Sequence, residues 1–251
     1  MSIQLRRSSL VVGDLHLKPK NLPITEQLFN YIETDPKFKN IEVLNLLGDI
    51  YDTKAIIRSE AQNFLFDYLS KSRFKKINII TGNHDFENLE CIKSALDPLK
   101  YIPKVRLYSG QELGYDEELQ ACFVPYIKNN DNFIKLLHNN IEKINKSQII
   151  YCHQGFSGFD LGGGILDQHG VNINDLPDKL FIVGHYHKFQ KNENILYLGT
   201  PYSHSFGEAN QKKYILIVDQ DLDFIETSQF LPQHYKIRYI AESKKLDIDL
   251  D

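Results

Sequence analysis

Ile77-Asn78-Ile79-Ile80-Thr81-Gly82-Asn83-His84-Asp85 decides how this chain is read. A β-branched apolar run stops at a glycine, and three side chains able to bind metal or move protons follow at once. Such a run is a strand buried on both faces, as in parallel or mixed sheets. The turn at Gly82 places Asn83, His84 and Asp85 outside the carboxyl end of that strand, where open α/β sheets build their sites. The same arrangement recurs in Val11-Val12-Gly13-Asp14-Leu15-His16, Leu46-Leu47-Gly48-Asp49-Ile50-Tyr51-Asp52, Ile149-Ile150-Tyr151-Cys152-His153 and Phe181-Ile182-Val183-Gly184-His185-Tyr186-His187. One Asp-x-His after a strand is a commonplace turn. Five such blocks point to a metal site assembled along one edge of a sheet.

With 251 residues, 42% of them hydrophobic, the chain can bury a full core. We expect one domain over residues 1–240 and a charged, fraying tail over 241–251. A net charge of -4 argues against a broad basic face. Cys91, Cys122 and Cys152 are odd in number and far apart, which fits reduced intracellular thiols better than a disulfide framework. The N-terminal segment carries Arg6 and Arg7 but its apolar run breaks at Gly13, so it reads as a first strand rather than a signal peptide. No apolar run reaches membrane-spanning length. A soluble, cytoplasmic protein without membrane association is expected, in the host cytoplasm if the chain is viral.

Elsewhere the periodicity predicts helices over 25–32 (N-capped by Thr25), 59–69, 89–96 and 132–144, with His138 on or beside the apolar face of the last as a surface or capping residue. Short strands over 105–109 and 119–125, joined by a turn over 111–116, read as an antiparallel ribbon opening a second sheet. Residues 214–219 and 224–230 read as a closing antiparallel pair and 236–240 as a last strand. The loop 155–164 holds five glycines and is either simply flexible or a mobile loop through which substrate approaches. Strand and helix alternate early and strands dominate late. The fold class is therefore α/β (α+β), a two-layer β-sandwich flanked by helices.

The polar residues at the strand ends are Asp14, His16, Asp49, Asn83, His153, His185 and His187. Carboxylate, imidazole and amide oxygen suit Mn²⁺, Fe²⁺ or Zn²⁺ rather than Ca²⁺, and there are ligands enough for two ions. A paired site of this kind polarises phosphoryl oxygens and yields a metal-bridged hydroxide near neutral pH. His84 is spare and can protonate a leaving oxygen. Asp52 can orient it and hold it protonated.

Asp14-x-His16, Gly48-Asp49-x-x-Asp52, Gly82-Asn83-His84-Asp85, His153 and Gly184-His185-x-His187 resemble, in order and without substitution, the five signature motifs of calcineurin-like metallophosphoesterases. The resemblance implies that fold and two divalent ions, most naturally Mn²⁺, with Fe²⁺, Zn²⁺ or Mg²⁺ as alternatives. It implies a first metal on Asp14, His16, Asp49 and His187, and a second on Asn83, His153 and His185 with Asp49 as the bridge. His84 is then the transition-state histidine, with Asp52 beside it. The stretch Tyr197-Leu-Gly-Thr-Pro-Tyr-Ser-His-Ser-Phe-Gly-Glu208, followed by Lys213-Tyr-Ile-Leu-Ile-Val218, is similar to SbcD-type DNA-repair nucleases and their phage relatives. That similarity implies a DNA exo- and endonuclease working with an SMC-like ATPase. The chain departs from the family after Ile240, where those nucleases usually continue into a capping domain and an ATPase-binding region.

Three functions are weighed. The first is a manganese-dependent DNA nuclease, with a homodimer left open. The second is a phosphatase or small phosphodiesterase acting on nucleotides or phosphoproteins, which the acidic balance also fits. The third is a non-catalytic scaffold of the same fold, ranked last because no ligand is missing. His204 reads as a loop histidine without chemistry, the alternative being contact with a substrate phosphate. Tyr186 reads as packing.

Overall fold

The computed structural model describes residues 7–53, 56–88, 90–240 and 245–248. Twelve strands form two six-stranded sheets. The first sheet takes β1 (Ser9–Val12), β2 (Val43–Leu46), β3 (Lys76–Ile80) and β4 (Val105–Tyr108), all parallel. The second takes β5 (Gly114–Asp116), β6 (Ala121–Val124), β7 (Ile149–His153), β8 (Leu180–Gly184), β9 (Gln190–Lys191) and β10 (Ile195–Tyr197) in the order β5-β6-β7-β8-β10-β9. Its four inner strands are parallel, and β5 and β9 run antiparallel at the edges. The chain then returns to the first sheet with β11 (Tyr214–Val218) beside β1 and β12 (Leu222–Glu226) outside it, both pairings antiparallel. Helices α1 (Leu22–Thr34) and α2 (Ser59–Lys71) cover the outer face of the first sheet, and α3 (Asn130–Asn139) and α4 (Ile141–Lys146) that of the second.

This packing explains the uninterrupted apolar runs. Leu10, Val12, Leu44, Leu46, Ile77 and Ile79 point outward, into one core with Leu28, Phe29, Leu65 and Leu69. Their neighbours Val11, Val43, Leu47 and Ile80 point inward, against Phe123, Tyr151, Ile182 and Leu196 of the other sheet. A strand with helices on one side and a sheet on the other has no face left for polar residues. One polar row does enter the sandwich interior. Asn78 Nδ2 donates to Asn45 Oδ1 at 2.8 Å, and Asn45 Nδ2 donates to Ser9 Oγ at 3.1 Å. It runs across β1, β2 and β3 and pins their register, because a slip of one residue would carry amides into the apolar layers.

Several local expectations change. Helix α1 begins three residues early, behind Asn21, and Thr25 lies inside it with its hydroxyl donating to the Asn21 carbonyl. The predicted helix over 89–96 does not form among its described residues. Ser94 and Ala95 instead donate to the Asp85 carbonyl, and Glu87 donates to that of Lys93. This folds the segment back as a loop; Leu89 itself lies outside the described residues. The helix expected over 132–144 breaks at Asn140, whose amide donates to the Leu136 carbonyl. The ribbon opening the second sheet is β5 with β6, because β4 stays on the first sheet beside β3. Within the expected frayed tail, Lys245–Ile248 forms a strand, β14, antiparallel to β13 (Ile237–Ile240). Its Lys-Leu-Asp-Ile alternation has the period of a strand. Residues 241–244 and 249–251 lie outside the described residues. Among the described residues no helix is long and apolar enough to cross a membrane.

Replacing Asn45 by Val keeps its size but leaves the Asn78 amide without its acceptor in the sandwich. The expected loss is about 1–3 kcal/mol for the group so stranded, read from urea unfolding. A loss well under 1 kcal/mol would mean that the row plays no part in joining the strands.

Candidate metal centre

All five motif blocks end at the same edge. Asp14 and His16 follow β1, Asp49 follows β2, Asn83 and His84 follow β3, His153 ends β7, and His185 and His187 follow β8. Glycines let the two sheets close on one another here. A Cβ on Gly82 would stand 2.2 Å from Asp49 Oδ1, and one on Gly184 would stand 2.5 Å from the Leu47 carbonyl oxygen and 2.7 Å from Asp14 Oδ1. The turns are also strained. His16, Asp49 and His185 all have positive φ, at 45°, 46° and 98°. For non-glycine residues that costs on the order of 1–3 kcal/mol each and persists only where the surroundings enforce it. Here the His16 N–H donates to the Asp49 carbonyl at 2.9 Å, and the His185 N–H donates to Asp14 Oδ2 at 2.8 Å.

Two groups of ligand atoms result. Asp14, His16 and His187 each bring one atom within 4.8 Å of the others, and so do Asp49, His153 and His185. His16 Nε2 and His187 Nε2 face each other at 3.0 Å. In the second group Asn83 Oδ1 lies 3.1 Å from His153 Nε2 and 2.8 Å from His185 Nδ1. Asp49 reaches both groups, its Oδ2 being 3.7 Å from His16 Nε2 and 3.4 Å from His153 Nε2. The donors fit cations. Asp14 Oδ1 is buried with no hydrogen-bond partner, and burial above all pushes that carboxyl up to about 6. A divalent ion at that oxygen would supply the missing charge and contact. Burial is the largest influence against the charged forms of Asp49 and His153, but the neighbouring charges and hydrogen bonds together outweigh it, each residue being the other's main partner. Asp49 is held well below the usual carboxylate range by His153, and His153 is held up to about 9 by Asp49.

Three histidines are oriented from behind. A carbonyl oxygen only accepts, so the ring nitrogen facing it carries the proton. His153 Nδ1 thus donates to the Leu47 carbonyl at 2.7 Å, and its Nε2 is turned to the site. His187 Nδ1 lies 3.0 Å from Glu208 Oε1, the carboxylate–imidazole pairing that fixes metal-binding histidines. His84 Nδ1 donates to the backbone carbonyl of Asp52 at 2.8 Å. The expectation that the Asp52 side chain orients His84 is corrected on this point. The Asp52 carboxylate is taken by Lys18 Nζ at 2.7 Å, and the main chain holds the imidazole.

Sequence reasoning assigned Glu208 and Lys213 no chemistry and named Asp85 only as one of three side chains after β3 able to bind metal or move protons. Lys213 is 1% exposed and donates to Glu208 Oε2, the His187 carbonyl and Thr200 Oγ1 at 2.7–2.9 Å. Burial would raise the Glu208 carboxyl, but His187 and Lys213 hold it well below the ordinary range. Asp85 is buried and accepts from the N–H groups of Gly82, Ile50 and Tyr51, so it ties the β3 turn to the β2 turn. A charged residue inside an otherwise apolar or glycine-rich stretch was the available signal, though it does not identify the partner. Tyr186 packs as expected, its ring stacked on Tyr197 at 4.6 Å. His138 is exposed on α3. Leu161, Gly162 and Gly163 of the glycine-rich loop line a cavity of about 400 Å³ that opens beside His185 and His187.

This fold and this ligand set define a metal-dependent phosphoester hydrolase. The chain belongs to the calcineurin-like phosphoesterase family, whose model matches residues 8–225. It is 22% identical over 243 residues to "Putative phosphoesterase 078R" of Invertebrate iridescent virus 3, covering 93% of this chain and 69% of that one. It is 25% identical over 218 residues to "Putative phosphoesterase 244L" of Invertebrate iridescent virus 6, covering 84% and 76%. It is 24% identical over 208 residues to "Exonuclease subunit 1" of Enterobacteria phage T4, covering 78% of this chain and 59% of the phage protein. The family uses divalent metals.

Glu208→Ala should weaken Mn²⁺ binding about 10- to 100-fold, the usual cost of losing such an outer partner, with Glu208→Gln milder. Calorimetric titration with Mn²⁺ measures this, and circular dichroism checks that each variant folds despite the stranded Lys213. Unchanged affinity in a folded Glu208→Ala would mean that the pairing does not prepare His187 for metal.

Proposed function

We propose that the chain is a two-metal phosphodiesterase acting on DNA, an exo- or endonuclease of the SbcD type. The observation that carries the phosphoester-hydrolase reading is His84, an imidazole outside both ligand groups whose Nδ1 proton is fixed on the Asp52 carbonyl; its presence permits monoester and diester work alike. The DNA reading is supported by the similarity to a phage protein named as an exonuclease subunit. That name also supports a partner subunit, for which an SMC-like ATPase is the candidate; self-association into a homodimer is compatible with it. Manganese is the proposed metal and the cytoplasm, a host's if the chain is viral, the proposed compartment.

Asp14, His16, Asp49 and His187 would hold one ion, and Asp49, Asn83, His153 and His185 the other. When bound, such ions polarise the phosphoryl oxygens and acidify a water. The remaining chemistry belongs to side chains. Asp49 couples the two groups, so its loss disturbs both. Its Oδ1 also accepts the His84 N–H at 2.8 Å, which sets the backbone of the β3 turn against the bridging residue. With Nδ1 committed, His84 presents Nε2, where a proton can pass to the leaving oxygen.

Turnover with Mn²⁺ on linear single- and double-stranded DNA, beside p-nitrophenyl phosphate, tests the reading. DNA hydrolysis is expected in the wild type and none in Asp49→Ala. Monoester hydrolysis without DNA cleavage would replace the nuclease by a phosphatase. His84→Asn should lower kcat about 100-fold or more while the manganese content stays unchanged. Loss of manganese in that variant would make His84 a ligand or a prop.

A further inference from the structure

His204 belongs to neither ligand group, yet it lies against the first. Its ring meets that of His16 edge-on at 5.3 Å and that of His187 at 5.8 Å. Its Nε2 is buried and has no hydrogen-bond partner. Asp14 Oδ1, of the first ligand group, is another buried atom so left. Orphaned polar atoms, one an acceptor and one on an imidazole, are costly unless a ligand completes them.

The loop holding His204 is pinned on both sides. Tyr202 is wholly buried, its hydroxyl donating to the Leu15 carbonyl at 2.6 Å and lying 2.8 Å from Thr25 Oγ1. Ser203 Oγ lies 2.7 Å from His234 Nδ1, and the His204 N–H donates to Glu208 Oε2 at 3.3 Å. The imidazole is therefore set in place before any ligand arrives, at no further entropic cost.

Burial above all disfavours a proton on His204, against the pull of Glu208, so its ring is a neutral donor. His84 meets the His16 ring edge-on at 5.0 Å. Nitrogen donors thus gather about the first group. Beside the second group stands the Tyr126 ring, 6.0 Å from His185 and 6.3 Å from His153.

We propose that His204 forms a phosphoryl-oxygen subsite next to Asp14, His16 and His187. Its Nε2–H donates to a non-bridging oxygen of the ester phosphate. The inference rests on the reading of the centre as one that hydrolyses phosphoesters, and it is independent of whether DNA is the substrate. Because the contact is to the phosphoryl group, monoesters and diesters alike would use it.

Binding of inorganic phosphate to the manganese-loaded wild type, His204→Phe and His204→Gln, followed by calorimetry, tests the subsite. Manganese content and thermal midpoint are measured on the same samples. Phenylalanine keeps the ring packing and removes the donor; glutamine restores an N–H near the position of Nε2. The expected result is a phosphate dissociation constant about tenfold weaker in His204→Phe, the scale of one hydrogen bond to a charged group. Recovery is expected in His204→Gln, with equal manganese in all three. Equal phosphate binding by His204→Phe and wild type would overturn the subsite. So would loss of manganese from His204→Phe, which would make His204 a ligand or a prop. Failure of the loaded wild type to bind phosphate at all would overturn the phosphoester reading along with the subsite, and is thereby distinct from the other two results.

Discussion

The structure depends on the two sheets touching, backbone against backbone, at one end. The Leu47 carbonyl oxygen lies 2.5 Å from where a Cβ of Gly184 would be, and Asp49 Oδ1 2.2 Å from where a Cβ of Gly82 would be. The first contact crosses from one sheet to the other; the second joins neighbouring turns of the same sheet. A side chain at either point would push the strand ends apart. The ligand atoms now stand 2.8–3.7 Å from one another across five turns, and a separation of even an ångström would split the set. The positive φ angles of His16, Asp49 and His185 fall at this junction. Strain of that kind is sustained by the packed sheets on either side, which cannot relax it without opening the sandwich.

Bringing the strand ends together also concentrates buried charge, and each acid is answered differently. Asp85 takes three backbone N–H groups. Glu208 takes a buried lysine and a histidine. Asp49 lies against His153 and His16. Asp14 receives the His185 N–H on one oxygen and nothing on the other. Because an unpaired buried carboxylate oxygen is among the most costly groups in a protein interior, Asp14 is where the fold most clearly requires a cation. Asp85 and Glu208 are satisfied by the chain itself and serve to fix geometry, while Asp49 stands among the candidate ligand atoms of both groups.

The candidate ligands were legible in the sequence because each ends or follows a buried strand, and a strand covered on both faces leaves an unbroken apolar run that stops abruptly. What supports the ligands was not legible. The Leu47 and Asp52 carbonyls that orient His153 and His84 are main-chain atoms, which every residue has. Glu208 and Lys213 reach His187 only through the tertiary fold, with no periodicity to mark them. The segment 89–96 has helical spacing at Cys91, Ile92, Ala95 and Leu96, but the Asp85 carbonyl captures Ser94 and Ala95. That contact belongs to the site and outweighs a weak local propensity. At 245–248 the charge of the tail hid an alternation that has the period of a strand.

The partners behind the histidines explain why one residue type does several jobs here. A carboxylate behind an imidazole raises its basicity and steadies it as a ligand, which suits His187 with Glu208. The same partner behind a proton donor would work against it, since a charge-assisted bond stabilises the imidazolium and makes the proton harder to release. His84 has a carbonyl instead, which fixes the tautomer and ring plane but adds no full negative charge. The Asp52 carboxylate could have filled that place, and Lys18 holds it away. Diverting one acidic side chain while using its main-chain oxygen leaves His84 oriented by the backbone, with no full charge behind its ring.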